Sequence, residues 1–128
     1  MEEFYSKDIL IGIKVSSFSS GTHPITNSSE SIQIITLKQP VGTEVKIHGH
    51  RPENRVTTTL QECLIVKKGK IKIELYGQDK KHVTDIIINA GEFFILLNGI
   101  WAVHFLEDSE VVEVKNGPYK DDKISIEL

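Results

Sequence analysis

The chain reads as an all-β sandwich or barrel built around one core, and three observations carry that reading. From Ile32 onward, short runs rich in β-branched and aromatic residues follow one another, separated by turn residues: SIQIITL, EVKIHGH, LQECLIVKK, KIKIELYG, HVTDIIINAG, EFFILL, WAVHFL and EVVEV. Ile71, Ile73 and Leu75 alternate with Lys70, Lys72 and Glu74, which sets one face of that run against a core and the other against water. No stretch of similar length repeats its apolar residues at helical spacing.

Taken in order, residues 1–31 form an N-terminal arm with some strand character. Its second half, residues 16–31, is rich in Ser and Thr and carries Gly21 and Pro24, which predicts a loop or arm lying over the barrel. Residues 32–117 supply the barrel core. Within them Lys67-Lys68-Gly69-Lys70 and Tyr76-Gly77-Gln78-Asp79 read as hairpin turns in which glycine adopts backbone angles closed to other residues, so an antiparallel meander is expected from Leu60 to about Leu97. Gly91 marks a further tight turn, and Gly117-Pro118 closes the last regular strand ahead of a charged tail, residues 118–128, suited to an edge strand or a subunit clasp.

The 128 residues suit a single domain. A net charge of −3 provides no field for nucleic acid or an acidic membrane, and neither partner is expected. The start Met1-Glu2-Glu3 lacks the basic and apolar pattern of a secretory signal, and the longest apolar run, Phe93 to Leu97, is too short to span a bilayer, so a cytoplasmic location is expected. The lone Cys63, flanked by strand-like residues, reads as a small buried hydrophobe without a chemical role.

The segment that carries chemistry is Gly42 to His50. Histidines at i and i+2 on a strand share one face with α-carbons roughly 6.6 Å apart, so His48 and His50 converge on one target, and paired imidazoles suit a divalent metal or proton transfer. Glu62 shares its parity with Leu64 and Val66, natural core residues, and a carboxylate on that face needs a partner. Arg51 and Arg55 flank the histidines and suit forked hydrogen bonds to a phosphate or carboxylate. Trp101 is a candidate pocket-lining residue. His23 and His82 sit in loop-like surroundings and read as solvated.

The spacing Gly42, five residues, His48-Gly49-His50, with Glu62 and Gly69 seven positions apart, resembles the first motif of the cupin family, G-x5-H-x-H followed by E-x6-G. The gap from Arg51 to Gln61 is longer than the family's. Of the second motif, G-x5-P-x-G-x2-H-x3-N, Gly91 and Gly99 are present, while Leu97 stands at the proline and Ala102 at the histidine; His104, two residues on, is the substitute. The resemblance covers residues 32–117 and implies a double-stranded β-helix, or jelly-roll, barrel. It also implies His48, His50, Glu62 and His104 as ligands of Zn²⁺, Mn²⁺, Fe²⁺ or Ni²⁺, with an open position for a small oxygen-bearing molecule.

Two other functions fit the same residues. Cupin-like ketoisomerases acting on nucleotide-linked sugars use an H-x-H pair without metal, which would make His48 and His50 the acid and base, and Arg55 and Trp101 ligand-binding residues. A non-catalytic ligand-binding barrel is the third. Cupin barrels commonly pair through edge strands, so a homodimer is expected, with the N-terminal region offering a strand.

Overall fold

Strand formation begins at once: in the computed structural model, which describes residues 1–128, β1 (Glu2–Ser6) and β2 (Ile9–Val15) already form an antiparallel hairpin. β3 (Gly21–Pro24) and β4 (Ile35–Lys38) pair with each other. After a long irregular stretch come β5 (Glu62–Lys68), β6 (Lys70–Tyr76), β7 (His82–Asn89), β8 (Phe93–Leu96), β9 (Ile100–Phe105) and β10 (Glu110–Lys115). The chain is all-β. No helix is long and apolar enough to cross a membrane.

The strands form three antiparallel sheets, ordered β1-β2-β8-β5-β10, β3-β4 and β7-β6-β9, and they do not close into a barrel. Each strand expected from Leu60 to Val114 is present, but the expected meander is not. Of the turns expected within it, only that at Gly77 joins neighbours in one sheet, β6 and β7. Gly69, at φ +92°, and Gly91, at φ +86°, instead carry the chain from one sheet to the other. A tight glycine turn and a sheet-to-sheet corner ask for the same positive φ, so the residue alone does not tell them apart.

The core explains the pattern of each strand. Ile71, Ile73 and Leu75 of β6 and Ile86 and Ile88 of β7 pack against Ile11, Leu64, Val66, Phe94 and Leu96 of the five-stranded sheet. That sheet is covered on its other face as well, where Ile13, Val15, Cys63, Phe93 and Ile95 meet Ile32 and Leu97. Burial on both faces makes β8 a continuous apolar run, whereas β6, with one wet face, alternates cleanly. Ile11, Ile13 and Val15 lie inside these clusters, so the core begins well before Ile32.

Gln61, 2% exposed, ties the root of the irregular stretch. Its Oε1 accepts the Ile32 N–H, its Nε2 donates to Glu30, and its own N–H donates to Asn116 Oδ1. Asn116 Nδ2 then donates to Thr57 Oγ1 and the Thr59 carbonyl. The chain therefore enters β5 at a fixed point beside the end of β10.

Candidate functional site

His48 and His50 lie between β4 and β5 in a stretch, residues 39–61, that has no strand. The expected strand EVKIHGH is absent for a physical reason: a strand needs a neighbour to take its backbone groups, and none adjoins this segment. The imidazoles nevertheless remain together, with ring centroids 5.4 Å apart and planes at 76°. His48 Nδ1 stands 2.8 Å from the Lys46 carbonyl oxygen. A carbonyl only accepts, so Nδ1 carries a proton, and in the neutral ring Nε2 keeps the lone pair.

Gly49, His50, Arg51, Glu53 and Arg55 line an open polar hollow of about 340 Å³ with no hydrophobic residue in its wall. Arg51 reaches Glu53 at 3.4 Å, both ends well exposed, and Arg55 makes no ion pair. A guanidinium, an imidazole and a second, partly occupied guanidinium therefore face one concavity.

Glu62 stands apart from this group, at the start of β5 on the inward face opposite Lys115 of β10. Lys115 Nζ is 3.7 Å from its carboxylate and 4.0 Å from that of Glu113. Burial raises the Glu62 pKa above its ordinary value, the neighbouring Glu113 charge raises it further, and Lys115 opposes both. The partner expected for an inward carboxylate is thus a lysine from the adjoining edge strand, not a histidine.

His104 does not substitute for the absent second-motif histidine beside Glu62. It lies opposite Lys72 on the wet face of the three-stranded sheet, and its Nε2 contacts Glu74 Oε1 at 2.9 Å. Strand alternation turns it the same way as Ala102, as expected, but that face looks away from the core. Trp101, one residue off, points inward opposite Leu75 and packs on Phe94 with ring centroids 6.1 Å apart. It fills core rather than lining the hollow. His48, His50, Glu62 and His104 are therefore not brought together, and no three histidine, cysteine or carboxylate side chains converge as a metal site.

Comparison with protein-family models, with curated proteins and with solved structures gave no match.

Two groupings escaped the sequence reading. Glu113 and Lys115 join Glu62 on the inward face, and only the β5–β10 register reveals it. On the wet face of the three-stranded sheet, Glu74 holds both His104 and the Tyr76 hydroxyl, which donates at 3.0 Å. Tyr76 in turn stacks edge-on with His82, 5.4 Å away, and His82 pairs with Asp85 at 2.8 Å. Shared parity of Glu74 and Tyr76 was the available signal; the cross-strand partners were not. His23 is exposed as expected, 2.7 Å from the Ser20 carbonyl, but it lies in β3, as His82 lies in β7, and not in a loop. Cys63 is buried, and burial pushes its thiol up to about 12.

Proposed function

We propose that this chain is a cytoplasmic small-molecule-binding protein of the cupin jelly-roll type, which takes an oxygen-bearing anion, a phosphate or carboxylate, through His48, His50, Arg51 and Arg55. The carrying observation is the hollow shared by His50, Arg51 and Arg55, walled only by polar residues and glycine. Guanidinium forks recognise such oxygens, and the free Nε2 of His48 leaves an imidazole available to move a proton on the bound molecule. The jelly-roll assignment draws support from the chain path, since β5, β8 and β10 lie in one sheet and β6, β7 and β9 in the sheet facing it.

The divalent-ion reading is supported only by the imidazole pair. A protein metal site takes three or four donors, and here two stand together while Glu62 is held by Lys115, so the donor set as arranged does not fit a resident ion. The reading the geometry favours is metal-free, with His48 and His50 as acid and base of a ketoisomerase-type proton transfer or as plain ligand contacts.

Titration calorimetry with inorganic phosphate, with citrate and with Zn²⁺, each alone, tests this. Binding of either anion that disappears in Arg51→Ala/Arg55→Ala supports the proposal. Silence toward both anions, with Zn²⁺ binding that disappears in His48→Ala/His50→Ala, refutes it in favour of a metal site.

A further inference from the structure

Three turns of the body meet at a cleft that shares no residue with the hollow around His50. The end of β1 and the turn after it bring Ser6 and Lys7, the β6–β7 turn brings Gln78 and Asp79, and the β8–β9 turn brings Asn98. With Ile9 and Ile11 of β2 these residues line about 190 Å³.

The walls are fixed by bonds to the body. Asn98 Nδ2 donates to the Leu10 carbonyl at 3.0 Å, and the Asn98 N–H reaches the Ile11 carbonyl at 3.4 Å. Asp79 Oδ1 accepts the Lys81 N–H at 3.1 Å, while its Oδ2 stands 3.3 Å from Lys7 Nζ. The Lys81 N–H, with Lys7 adding to it, holds the Asp79 carboxyl below its ordinary pKa, so a carboxylate and an ammonium stand side by side at neutral pH. Gly77 lets the second turn lie against the first, since a β-carbon there would collide with Ser6 Oγ.

The backbone is unusual at the same place. Lys7, Asp8 and Lys80, at φ +50°, +65° and +68°, are the only non-glycine residues with positive φ, and all three belong to the two turns that wall the cleft. Lys7-Asp8 forms a two-residue turn between Ser6 and Ile9, a geometry that Asn-Gly or Asp-Gly meets most readily. Lysine suits such a backbone less well, and what it adds is the ammonium beside Asp79.

Hydrogen-bonding capacity remains unused. Ser6 Oγ, the Gln78 amide and Asn98 Oδ1 take part in no hydrogen bond of the chain, and none of them is sealed from solvent. The Lys7–Asp79 pair decides what suits them. An anion would have to draw Lys7 from Asp79, and a cation would have to draw Asp79 from Lys7. A hydroxyl donates to the carboxylate and accepts from the ammonium without parting them. Neighbouring hydroxyls repeat that pattern toward Asn98, Gln78 and Ser6, while Ile9 and Ile11 give an apolar wall to the C–H groups between. The volume, roughly that of six waters in the liquid, admits one ring.

We propose that this cleft binds a neutral polyol, a single sugar or cyclitol ring, through hydroxyl contacts to Asp79, Lys7 and Asn98. Titration of the isotope-labelled chain with methyl glucoside, methyl galactoside and myo-inositol, each alone and followed through the backbone amide resonances, tests it. At least one is expected to shift the amides of residues 6–9, 78–81 and 98–99 saturably, while inorganic phosphate leaves them unmoved. Asp79→Asn keeps the side-chain size and removes the charged acceptor, so it is expected to weaken that binding roughly tenfold or more. Lys7→Asn removes the ammonium and places at φ +50° a residue that tolerates it, so it is expected to weaken binding likewise with no loss of melting temperature. The proposal is overturned if none of the three polyols gives a saturable shift, or if the shifts scatter over the surface or gather at residues 49–55. A stronger response of the cleft to phosphate than to the polyols, or binding undiminished in both variants, overturns it as well. The phosphate arm reads the hollow around His50 separately, so each site stands or falls without the other.

Discussion

Gly12→Ala isolates how tightly the two-layer core is packed. Gly12 sits in β2 opposite Leu96, and a β-carbon there would fall on the end of the Phe94 ring, 3.0 Å from its Cε1 and 3.2 Å from the Ile95 carbonyl oxygen. The ring has nowhere to withdraw. Phe94 is 0% exposed and braced by Phe4 and Trp101, with centroids 6.0 Å and 6.1 Å away. One methyl forced into such a site costs about 2 kcal/mol, within the usual range for overpacking. For a domain of this size that lowers the melting temperature by roughly 6–10 °C. Phe94→Leu alone leaves a void and costs about 1.5 kcal/mol. In Gly12→Ala/Phe94→Leu the smaller side chain makes room for the methyl, so the double variant is expected to lie at least about 1 kcal/mol above the additive sum. Urea unfolding followed by tryptophan fluorescence reads all four proteins, since Trp101 abuts Phe94. A Gly12→Ala protein within about 0.5 kcal/mol of wild type, or strictly additive variants, would refute the packing argument.

Three further outcomes follow from the same contacts. The Glu62 carboxyl titrates above its unfolded value, so its ionisation disfavours the folded state, and the stability it contributes is present at low pH and lost as pH rises through the folded pKa; Glu62→Gln is expected to raise the melting temperature at pH 7 and to leave it unchanged near pH 3, and a loss of stability at pH 7 would show that the Lys115 pair outweighs burial. Cys63, buried and with its thiol pushed up to about 12, is expected to resist a thiol reagent at pH 8 in the folded protein and to react as the chain unfolds, whereas rapid labelling in native buffer would contradict its burial. Gly69→Ala is expected to cost upwards of about 2 kcal/mol in urea melts, because φ is +92° and the new methyl would strike Ser109 and the Asp108 carbonyl; a cost below about 0.5 kcal/mol would place the corner elsewhere.

What the sequence made legible is what alternation alone decides. β5, β6, β7, β9 and β10 appear where alternation places them, because each has a face whose burial requires period-two spacing, and β8 appears as a short apolar run bounded by turns. β2 was underread: Ile9–Val15 is apolar on both sides of Gly12, and burial on both faces erases the alternation that marks a half-exposed strand. Sheet membership was not legible either, since Gly69 and Gly91 serve corners with the residue a hairpin would use. For the site, the proximity of His48 and His50 was readable from their i, i+2 spacing and survives without the strand. The reach from there to Glu62 or His104 was not, because it depends on which face of which sheet each strand presents.

Strand propensity at Glu44 to His50 and its absence from any sheet are two sides of one constraint. Val45 and Ile47 favour extended backbone, but extended backbone is stable only when a neighbouring strand takes its N–H and C=O groups. Among the sheet edges, the outer edge of β9 is one where the core rim stays open, since Phe105 remains 64% exposed although it faces a fully buried Ile71. A segment without a sheet and a sheet without its last strand have complementary deficits in hydrogen bonding, apolar cover and charge. The histidines lie on that segment, so the chemistry of the site and the completion of the fold depend on the same seven residues. A substitution there that alters ligand binding must therefore be read together with the melting temperature of the variant before any role is assigned to a side chain.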